Sequence, residues 1–195
     1  MVAEFDRLWI LDIDNYVLVR SDRATGRGGS VALHIDESLQ FSPIGLGVLP
    51  IDTLTDIVTV SLYLAHGRRV VVVCVYCPPG APLSDLHFIE SYLFCEACIT
   101  DAIVCLGDFN VDILGQIDYN AKLNIASLFS LRQLIDTPTR LTCNSATILD
   151  FIFVSSSINV IECEVSNAIS VSDHLIVYAT LAILQSHRPG CVSVS

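Results

Sequence analysis

The chain has 195 residues, of which 52% are hydrophobic, and its formal net charge at pH 7 is −11. This length allows one domain with a substantial core, and the negative charge argues against a domain that grips nucleic acid mainly through a basic surface. No apolar run approaches the roughly 20 residues of a membrane helix, and the amino terminus lacks the basic and apolar regions of a signal peptide. We therefore predict an intracellular protein, nuclear or cytoplasmic, with no membrane contact.

The first part of the chain is predicted to form antiparallel strands. Residues 15–20 alternate in the manner of a strand, and residues 31–35 are predicted to be the returning strand of a hairpin; a weak strand is expected around residues 41–48. Two stronger strands, 56–64 and 70–76, flank a turn at residues 66–69. The second of these ends at Pro78 and Pro79, because proline removes a hydrogen-bond donor from the sheet.

The second part alternates helices and strands. Ser84 is a candidate N-cap for a helix to about residue 98, whose apolar face would consist of Leu86, Ile89, Leu93 and Phe94. A second helix is predicted over 119–132, and further strands are predicted at 103–106, 148–154, 160–165 and 175–184. The tail from residue 185 to 195 is expected to be frayed.

Two strands, 70–75 and 148–154, are apolar almost throughout, as is typical of sheets that are covered on both faces. With two helices among many strands, this pattern predicts an α/β fold in which sheets pack on each other and helices lie outside. We expect one domain over residues 1–195, because no repeat or internal linker interrupts the chain.

Four of the eight cysteines have a spacing that fits a zinc site. Cys74 and Cys77 are followed, after a suitable gap, by Cys95 and Cys98. The context favours reduced, buried thiols, because strand residues three apart face opposite sides and the second pair falls in the predicted helix. A zinc module remains an alternative, which metal analysis of the purified protein would test.

Polar residues follow the predicted strand that ends at Gly107. Asp108 and Asn110 alternate around Phe109, so in an extended chain the carboxylate and the amide share one face while Phe109 turns towards the core. A carboxylate and an amide at a strand exit are typical of an active-site corner. The same residues also form ordinary turns through side-chain to backbone hydrogen bonds.

Asp173 and His174 form a second candidate site. Histidine titrates near neutral pH, and in catalytic sites a carboxylate usually fixes its tautomer. Asp150 is the natural candidate, because it interrupts the apolar strand and an unpaired buried charge is costly. The alternative for Asp173 and His174 is a solvated turn before the last strand.

Three further residues are candidates for contact with phosphate. Tyr76 ends its strand, where a phenol could reach a phosphate oxygen, although core or interface tyrosines are more common. Arg140 and Thr142 could also contact phosphate oxygens, and exposed loop residues of no function fit them equally well.

Four motifs together resemble the endonuclease/exonuclease/phosphatase superfamily in order and spacing. They are Tyr76-Cys77-Pro78-Pro79, Gly107-Asp108-Phe109-Asn110, the stretch 148–153 around Asp150, and Ser172-Asp173-His174. The similarity covers about residues 16–184 and is greatest to the endonuclease domains of non-LTR (LINE-type) retrotransposons, which resemble abasic-site endonucleases and DNase I.

The resemblance implies a four-layer αββα sandwich, DNase I-like, that hydrolyses DNA phosphodiesters with Mg²⁺. In it, His174 would be the catalytic histidine, Asp150 would orient it, and Asp108 would activate or position the attacking water. Asn110 and Tyr76 would contact the phosphate. Asp173 would lie near the metal with Asp108, and Arg140, Thr142 and Ser172 would bind substrate.

The chain departs from the family pattern before Tyr16. The family begins with a strand bearing asparagine, then a helix and a strand ending in a metal-binding glutamate, whereas only fifteen residues precede Tyr16 here and Glu4 is their sole glutamate. We therefore expect a fold that lacks the first strand-helix-strand portion. Two functions follow as expectations: a Mg²⁺-dependent DNA endonuclease of retrotransposon origin, or an inactive remnant that acts as a binding module or has no function.

Overall fold

The computed structural model describes residues 12–22, 30–45, 53–97, 99–111, 130–166, 172–184 and 189–194. Within these ranges one α-helix, α1 (Leu83–Ala97), and a short 3-10 helix (Ala65–Gly67) accompany a set of strands. In chain order the strands are β1 (Tyr16–Asp22), β2 (Ser30–Asp36), β3 (Phe41–Ile44), β4 (Asp56–Tyr63), β5 (Arg69–Tyr76), β6 (Ala102–Asp108), β7 (Leu131–Gln133), β8 (Arg140–Leu141), β9 (Ala146–Thr147), β10 (Asp150–Ser155), β11 (Asn159–Ser166), β12 (Ile176–Leu184) and β13 (Pro189–Val194).

A six-stranded mixed sheet organises the fold. Its strand order is β3-β4-β5-β6-β10-β7, with β5 and β6 parallel and the other pairs antiparallel. The parallel pair is joined through α1, because parallel neighbours need a long crossover. This arrangement brings the carboxyl ends of β5 and β6 to the same edge of the sheet.

Smaller sheets contact this central sheet. β1 and β2 form the predicted hairpin, β11, β12 and β13 form a three-stranded sheet, and β8 pairs with β9. β2 contacts β4 and β5, and β12 contacts β10. Ile35 of β2 and Leu181 of β12 belong to the same buried core as β4, β5 and β10. The α/β fold is therefore dominated by sheets packed on each other, as predicted.

The core lies where the central strands are covered on both faces. The interior residues of β5 and β10 are nearly all buried, which confirms the prediction made from their apolar sequences, and those of β4 are buried as well. Phe109, Phe151 and Phe153 form a fully buried aromatic group with ring centroids 5.6–5.7 Å apart. Phe109 is the first residue after β6, so its packing in this group anchors the segment that carries Asp108 and Asn110.

The start of α1 differs from the prediction. Ser84 is not the N-cap, because Leu83 is already helical and the backbone N–H of Asp85 donates to the carbonyl of Pro82. The fixed φ of proline suits the start of a helix. Ile89 and Leu93 are fully buried, as predicted for the apolar face, and the side chains of Leu86 and Phe94 lie outside the described residues.

Two predictions in the second half are also wrong in part. The end of the helix predicted over 119–132 is instead β7 (Leu131–Gln133), which pairs with β10; residues 112–129 lie outside the described ranges. The tail was expected to be frayed, but Pro189–Val194 pairs with β12 as β13. In both cases an available sheet edge offers backbone partners that local sequence patterns do not reveal. No described helix has the length and apolar character needed to cross a bilayer.

Candidate active site

Four polar side chains come from successive neighbouring strands at one edge of the central sheet. Asp56 is in register with Tyr76, Tyr76 with Asp108, and Asp108 with Asp150. Residues directly opposite one another on paired strands have neighbouring side chains. Strand pairing therefore brings together residues that are up to 94 positions apart in sequence.

Gly107 allows β6 to approach β5 closely at this edge. Its φ is +139°, and a Cβ built on it would lie 1.9 Å from the carbonyl oxygen of Val75. Only glycine fits such a backbone conformation and such an approach. The glycine therefore sets the position from which Asp108 leaves the strand.

Asp108 and Asn110 face each other as predicted, while Phe109 is buried beneath them. The amide Nδ2 of Asn110 donates to Asp108 Oδ2 at 3.0 Å and to the carbonyl of Cys77 at 2.7 Å. The backbone N–H of Asn110 donates to Asp108 Oδ1 at 2.9 Å. Asn110 has a φ of +49°, a conformation that asparagine tolerates better than most residues. Asp108 and Asn110 thus form both the local turn and a pair of adjacent polar side chains, which we call the polar corner.

His174 reaches this corner through Asp150. His174 Nδ1 lies 2.9 Å from Asp150 Oδ2, and both side chains are partly buried. The pairing that the sequence suggested between these two residues is therefore present. Thr139, which the sequence analysis did not single out, is fully buried, and its Oγ1 accepts hydrogen bonds from the backbone N–H groups of Leu149 and Asp150. No local pattern around Thr139 signals this contact, because its partners lie ten and eleven residues away.

Arg140 and Asp173 lie on the other side of His174. Arg140 forms a backbone bridge with His174, and its Nε donates to Asp173 Oδ2 at 2.6 Å. This hydrogen bond holds the pKa of Asp173 below its usual value. Ser172 Oγ accepts a hydrogen bond from the backbone N–H of His174 at 2.9 Å. Arg140, Ser172 and Asp173 therefore surround the histidine.

Thr142 is less closely connected with the site. Its Oγ1 accepts hydrogen bonds from the backbone N–H groups of Asn144 and Ser145 and lies 2.7 Å from Ser145 Oγ. These bonds shape the exposed turn between β8 and β9. The structure gives Thr142 a local role in this turn, and contact with a substrate remains a prediction.

The ligand atoms of Asp108, Asp150 and His174 lie within 4.8 Å of one another. The pKa of Asp108 is raised to about 6, mainly by burial and in smaller part by the charge of Asp150, against the lowering effects of the Asn110 N–H, His174 and Arg140. Two carboxylates this close disfavour joint ionisation unless a cation or proton lies between them. The cluster can therefore hold a proton or a divalent cation.

Of the two metal ligands that the family resemblance implies, Asp108 lies in the cluster and Asp173 lies outside it. Asp173, expected near a metal, is paired with Arg140, whereas Asp150 joins Asp108 in the cluster. Glu4 lies outside the described residues, and Glu37 lies in an exposed turn after β2. Among the described residues, the cysteines of the zinc alternative form no metal-binding group; Cys98 lies outside them.

Asp56 is a site-edge residue that sequence reasoning missed. It is buried at the first position of β4 and lies in register with Tyr76. An acidic residue at the head of a mostly apolar strand was the available signal, but the residues beside it become visible only through strand register.

Comparison with known proteins shows the family to which the chain belongs. A family model described as "Endonuclease-reverse transcriptase" matches residues 70–178, which is more than half of the chain. The chain belongs to the endonuclease/exonuclease/phosphatase family. The matched segment contains Tyr76, Asp108, Asp150 and His174. No curated protein matches the chain significantly.

Solved structures support the fold. The endonuclease domain of TRAS1, a telomere-specific non-LTR retrotransposon, aligns with a TM-score of 0.64 and 16% identity over 90% of this chain and 81% of that one. A Neisseria 3′ phosphatase bound to a product DNA hairpin aligns with a TM-score of 0.60 and 17% identity over 85% of this chain and 79% of that one. A Bacteroides thetaiotaomicron mannosyl-6-phosphatase aligns with a TM-score of 0.60 and 17% identity over 87% of this chain and 78% of that one. At these identities the similarity establishes the DNase I-like fold of this family member.

Proposed function

We propose that this family member is a divalent-cation-dependent hydrolase of DNA phosphodiester bonds, of the retrotransposon endonuclease type. The observation that carries the proposal is the cluster of Asp108, Asp150 and His174, whose ligand atoms lie within 4.8 Å of one another at the edge of a DNase I-like sheet. Family membership supports phosphate chemistry, and the TRAS1 endonuclease domain supports DNA as the substrate.

The His174–Asp150 pair supports proton transfer or hydrogen bonding at the phosphate. An ionised carboxylate can only accept, so the imidazole proton lies on Nδ1 beside Asp150 and leaves Nε2 for the substrate. A protonated His174 would donate from Nε2 to a phosphate oxygen that gains charge in the transition state. Asp150 would hold the ring in the orientation that points Nε2 at the substrate.

Asp108 is the proposed base that orients or deprotonates the attacking water. In the cation-free cluster the pKa of Asp108, about 6, makes this carboxylate a better proton acceptor than an ordinary aspartate, and beside a bound cation it would orient the water through a hydrogen bond. Both amide protons of Asn110 are already donated, one to Asp108 and one to Cys77. We therefore propose that Asn110 fixes the direction of the Asp108 carboxylate, with its phosphate contact a secondary role. Tyr76, half-buried next to Asp108, would donate its hydroxyl to a phosphate oxygen.

The cluster fits a hard cation such as Mg²⁺, because it offers carboxylate oxygens and its Asp108 carboxylate is destabilised by burial and by Asp150. Asp108 would be the main ligand, with Asp150 beside it, and Asp173 would join by exchanging Arg140 for the cation. When bound, the cation would neutralise charge on the phosphate and on the leaving oxygen.

Cleavage of supercoiled plasmid tests the proposal. The parent should nick the plasmid with Mg²⁺ and stop when EDTA is added, and a matched RNA duplex should be cleaved more slowly. His174→Ala should abolish nicking, whereas His87→Ala, which removes an exposed histidine paired with Glu90, should leave it unchanged. Equal activity of parent and His174→Ala would remove the enzymatic proposal.

A non-catalytic binding module is the second candidate function. The net charge of −11 favours it, because most nucleic-acid enzymes use basic surfaces to hold their substrate. Calorimetric titration with Mg²⁺ separates the two: saturable binding by the parent that is lost in Asp108→Asn supports the enzyme. Absence of both Mg²⁺ binding and nicking supports the module.

A further inference from the structure

Asp85, a buried carboxylate outside the cluster, is connected to the cluster by a series of side-chain and backbone contacts. Asp85, in the first turn of α1, is only 3% exposed. Its Oδ2 accepts three hydrogen bonds, from the backbone N–H groups of Leu54 and Thr55 at 2.9 and 3.0 Å and from Thr55 Oγ1 at 3.0 Å. A buried charge is costly unless it is hydrogen-bonded, so this carboxylate strongly favours one position for the entry to β4.

The contact continues from Thr55 to Cys77. Thr55 is 2% exposed, and its Oγ1 lies 3.6 Å from Cys77 Sγ; Cys77 itself is 1% exposed. In such a close-packed interior a displacement of the threonine displaces the cysteine, because no free volume absorbs the shift. Asp85 is thereby linked through Thr55 to Cys77, the residue that follows Tyr76.

Cys77 holds the polar corner through its backbone. Its N–H donates to the carbonyl of Asp108 at 2.8 Å, and its carbonyl accepts from Asn110 Nδ2 at 2.7 Å. The same Nδ2 group donates to the Asp108 carboxylate. A chain of direct contacts therefore leads from Asp85 on the helix to Asp108 at the site.

We propose that Asp85 is a positioning residue for Asn110 and Asp108, acting through Thr55 and Cys77. The inference rests on the proposed phosphodiester hydrolysis, because it gives Asp85 a role in that reaction without contact with the substrate. The arrangement also explains why a carboxylate is buried at this point, where an apolar residue would leave two backbone N–H groups of the β4 entry without an acceptor.

Glu96 provides a matched control. It lies on the same helix, is similarly buried, and pairs with Arg69 at 3.0 Å, but Arg69 begins β5 whereas Tyr76 ends it. Asp85→Ala and Glu96→Ala should therefore both lower stability, while only the change at Asp85 should disturb the site. Asp85→Asn, which keeps one acceptor oxygen, should restore most of the parental behaviour.

Two measurements test the proposal. In plasmid nicking, Asp85→Ala should lower kcat by roughly 10- to 100-fold with little change in KM, the loss typical of residues behind a catalytic group, and Glu96→Ala should not. In ¹H–¹⁵N spectra, the side-chain amide signals of Asn110 should shift in Asp85→Ala and stay in place in Glu96→Ala. If Asp85→Ala does not fold, Thr55→Val replaces it in this test. This change removes only the hydroxyl contact and should move the same Asn110 signals.

The spectra separate this proposal from the proposed function. If the parent does not nick DNA, the enzymatic function fails, and the Asn110 signals alone decide whether Asp85 positions the corner. Unmoved Asn110 signals in folded Asp85→Ala or Thr55→Val, or equal shifts in Glu96→Ala, would overturn it.

Discussion

Nδ1 of His174 lies 2.9 Å from Oδ2 of Asp150, although 24 residues separate them in the chain. Asp150 is also the register partner of Asp108 across β10 and β6. One carboxylate therefore connects the imidazole with the residues that follow Gly107. The chemistry proposed for this protein depends on that connection.

Replacing Asp150 by asparagine should nearly abolish cleavage without unfolding the protein. An amide can donate to Nδ1, which favours the wrong histidine tautomer, and the corresponding change in another hydrolase class costs about 10⁴-fold in kcat. Plasmid nicking with Mg²⁺ measures the loss. Glu90→Gln, in the exposed His87–Glu90 pair, is the control and should be fully active. Parental rates in Asp150→Asn would mean that the pair has no catalytic part.

Asp108→Asn should raise stability at neutral pH and leave it almost unchanged at low pH. The folded-state pKa of Asp108, about 6, lies above the ordinary 3.8. The contribution of the protonated carboxyl to the free energy of unfolding is therefore fully present below pH 3.8 and is lost as pH rises through 6. Thermal melts in EDTA between pH 3.5 and 8 measure this difference, because a bound cation would hide it. Asp173→Asn should behave oppositely, since Arg140 lowers that pKa and its stabilisation is lost on acidification. A pH-independent Tm difference would contradict the prediction.

Gly107→Ala should be strongly destabilising. The added methyl carbon would overlap the Val75 carbonyl at 1.9 Å, and the φ of +139° is strained for alanine, so we expect a loss of about 3 kcal/mol or more in the free energy of unfolding. Gly67→Ala, at φ +71° in an open turn, should cost only about 1 kcal/mol. Urea denaturation compares the two, and equal losses would show that the close approach of β5 and β6 is unimportant.

Arg140→Ala should weaken DNA binding more than it weakens the fold. The Arg140–Asp173 pair is partly exposed, so its loss should cost about 1 kcal/mol or less, while the backbone bridge to His174 remains. If Arg140 contacts a phosphate, the slope of log affinity against log salt should fall by about 0.9. Fluorescence anisotropy measures this slope, with Arg68→Ala, in the exposed β4–β5 turn, as the control. Unchanged slope and affinity would remove Arg140 from the DNA-binding residues.

Local patterns predicted the elements that depend on neighbouring residues. The hairpin of β1 and β2, the strands β4, β5, β10, β11 and β12, and the body of α1 all follow from periodicity. The predictions that were wrong at Leu131–Gln133 and Pro189–Val194 concern strands that form against the edge of another strand, which is β10 for the first and β12, the strand just before it in the chain, for the second. Their formation depends on that partner more than on their own residues.

Within the candidate site, local sequence motifs could likewise be predicted, whereas contacts between separate parts of the chain could not. Asp108, Asn110, Asp150 and His174 could be singled out from their settings, because a polar residue that interrupts an apolar strand is unusual. Thr139 and Asp85 could not, since each is an ordinary polar residue whose partners lie ten to thirty-one positions away. Burial of their hydrogen bonds is a property of the packed sheets.

The order of residues along the chain was sufficient for the family, the strand-rich α/β class and the residue types of the site, because apolar periodicity and short motifs are local. The sequence also suggested that Asp150 pairs with His174, but only the folded chain decided that Asp150 joins Asp108 as well, while Asp173 binds Arg140. Strand register and close packing fix such pairings, and they act between segments far apart in sequence. Distances, burial and the raised pKa of Asp108 follow from that packing.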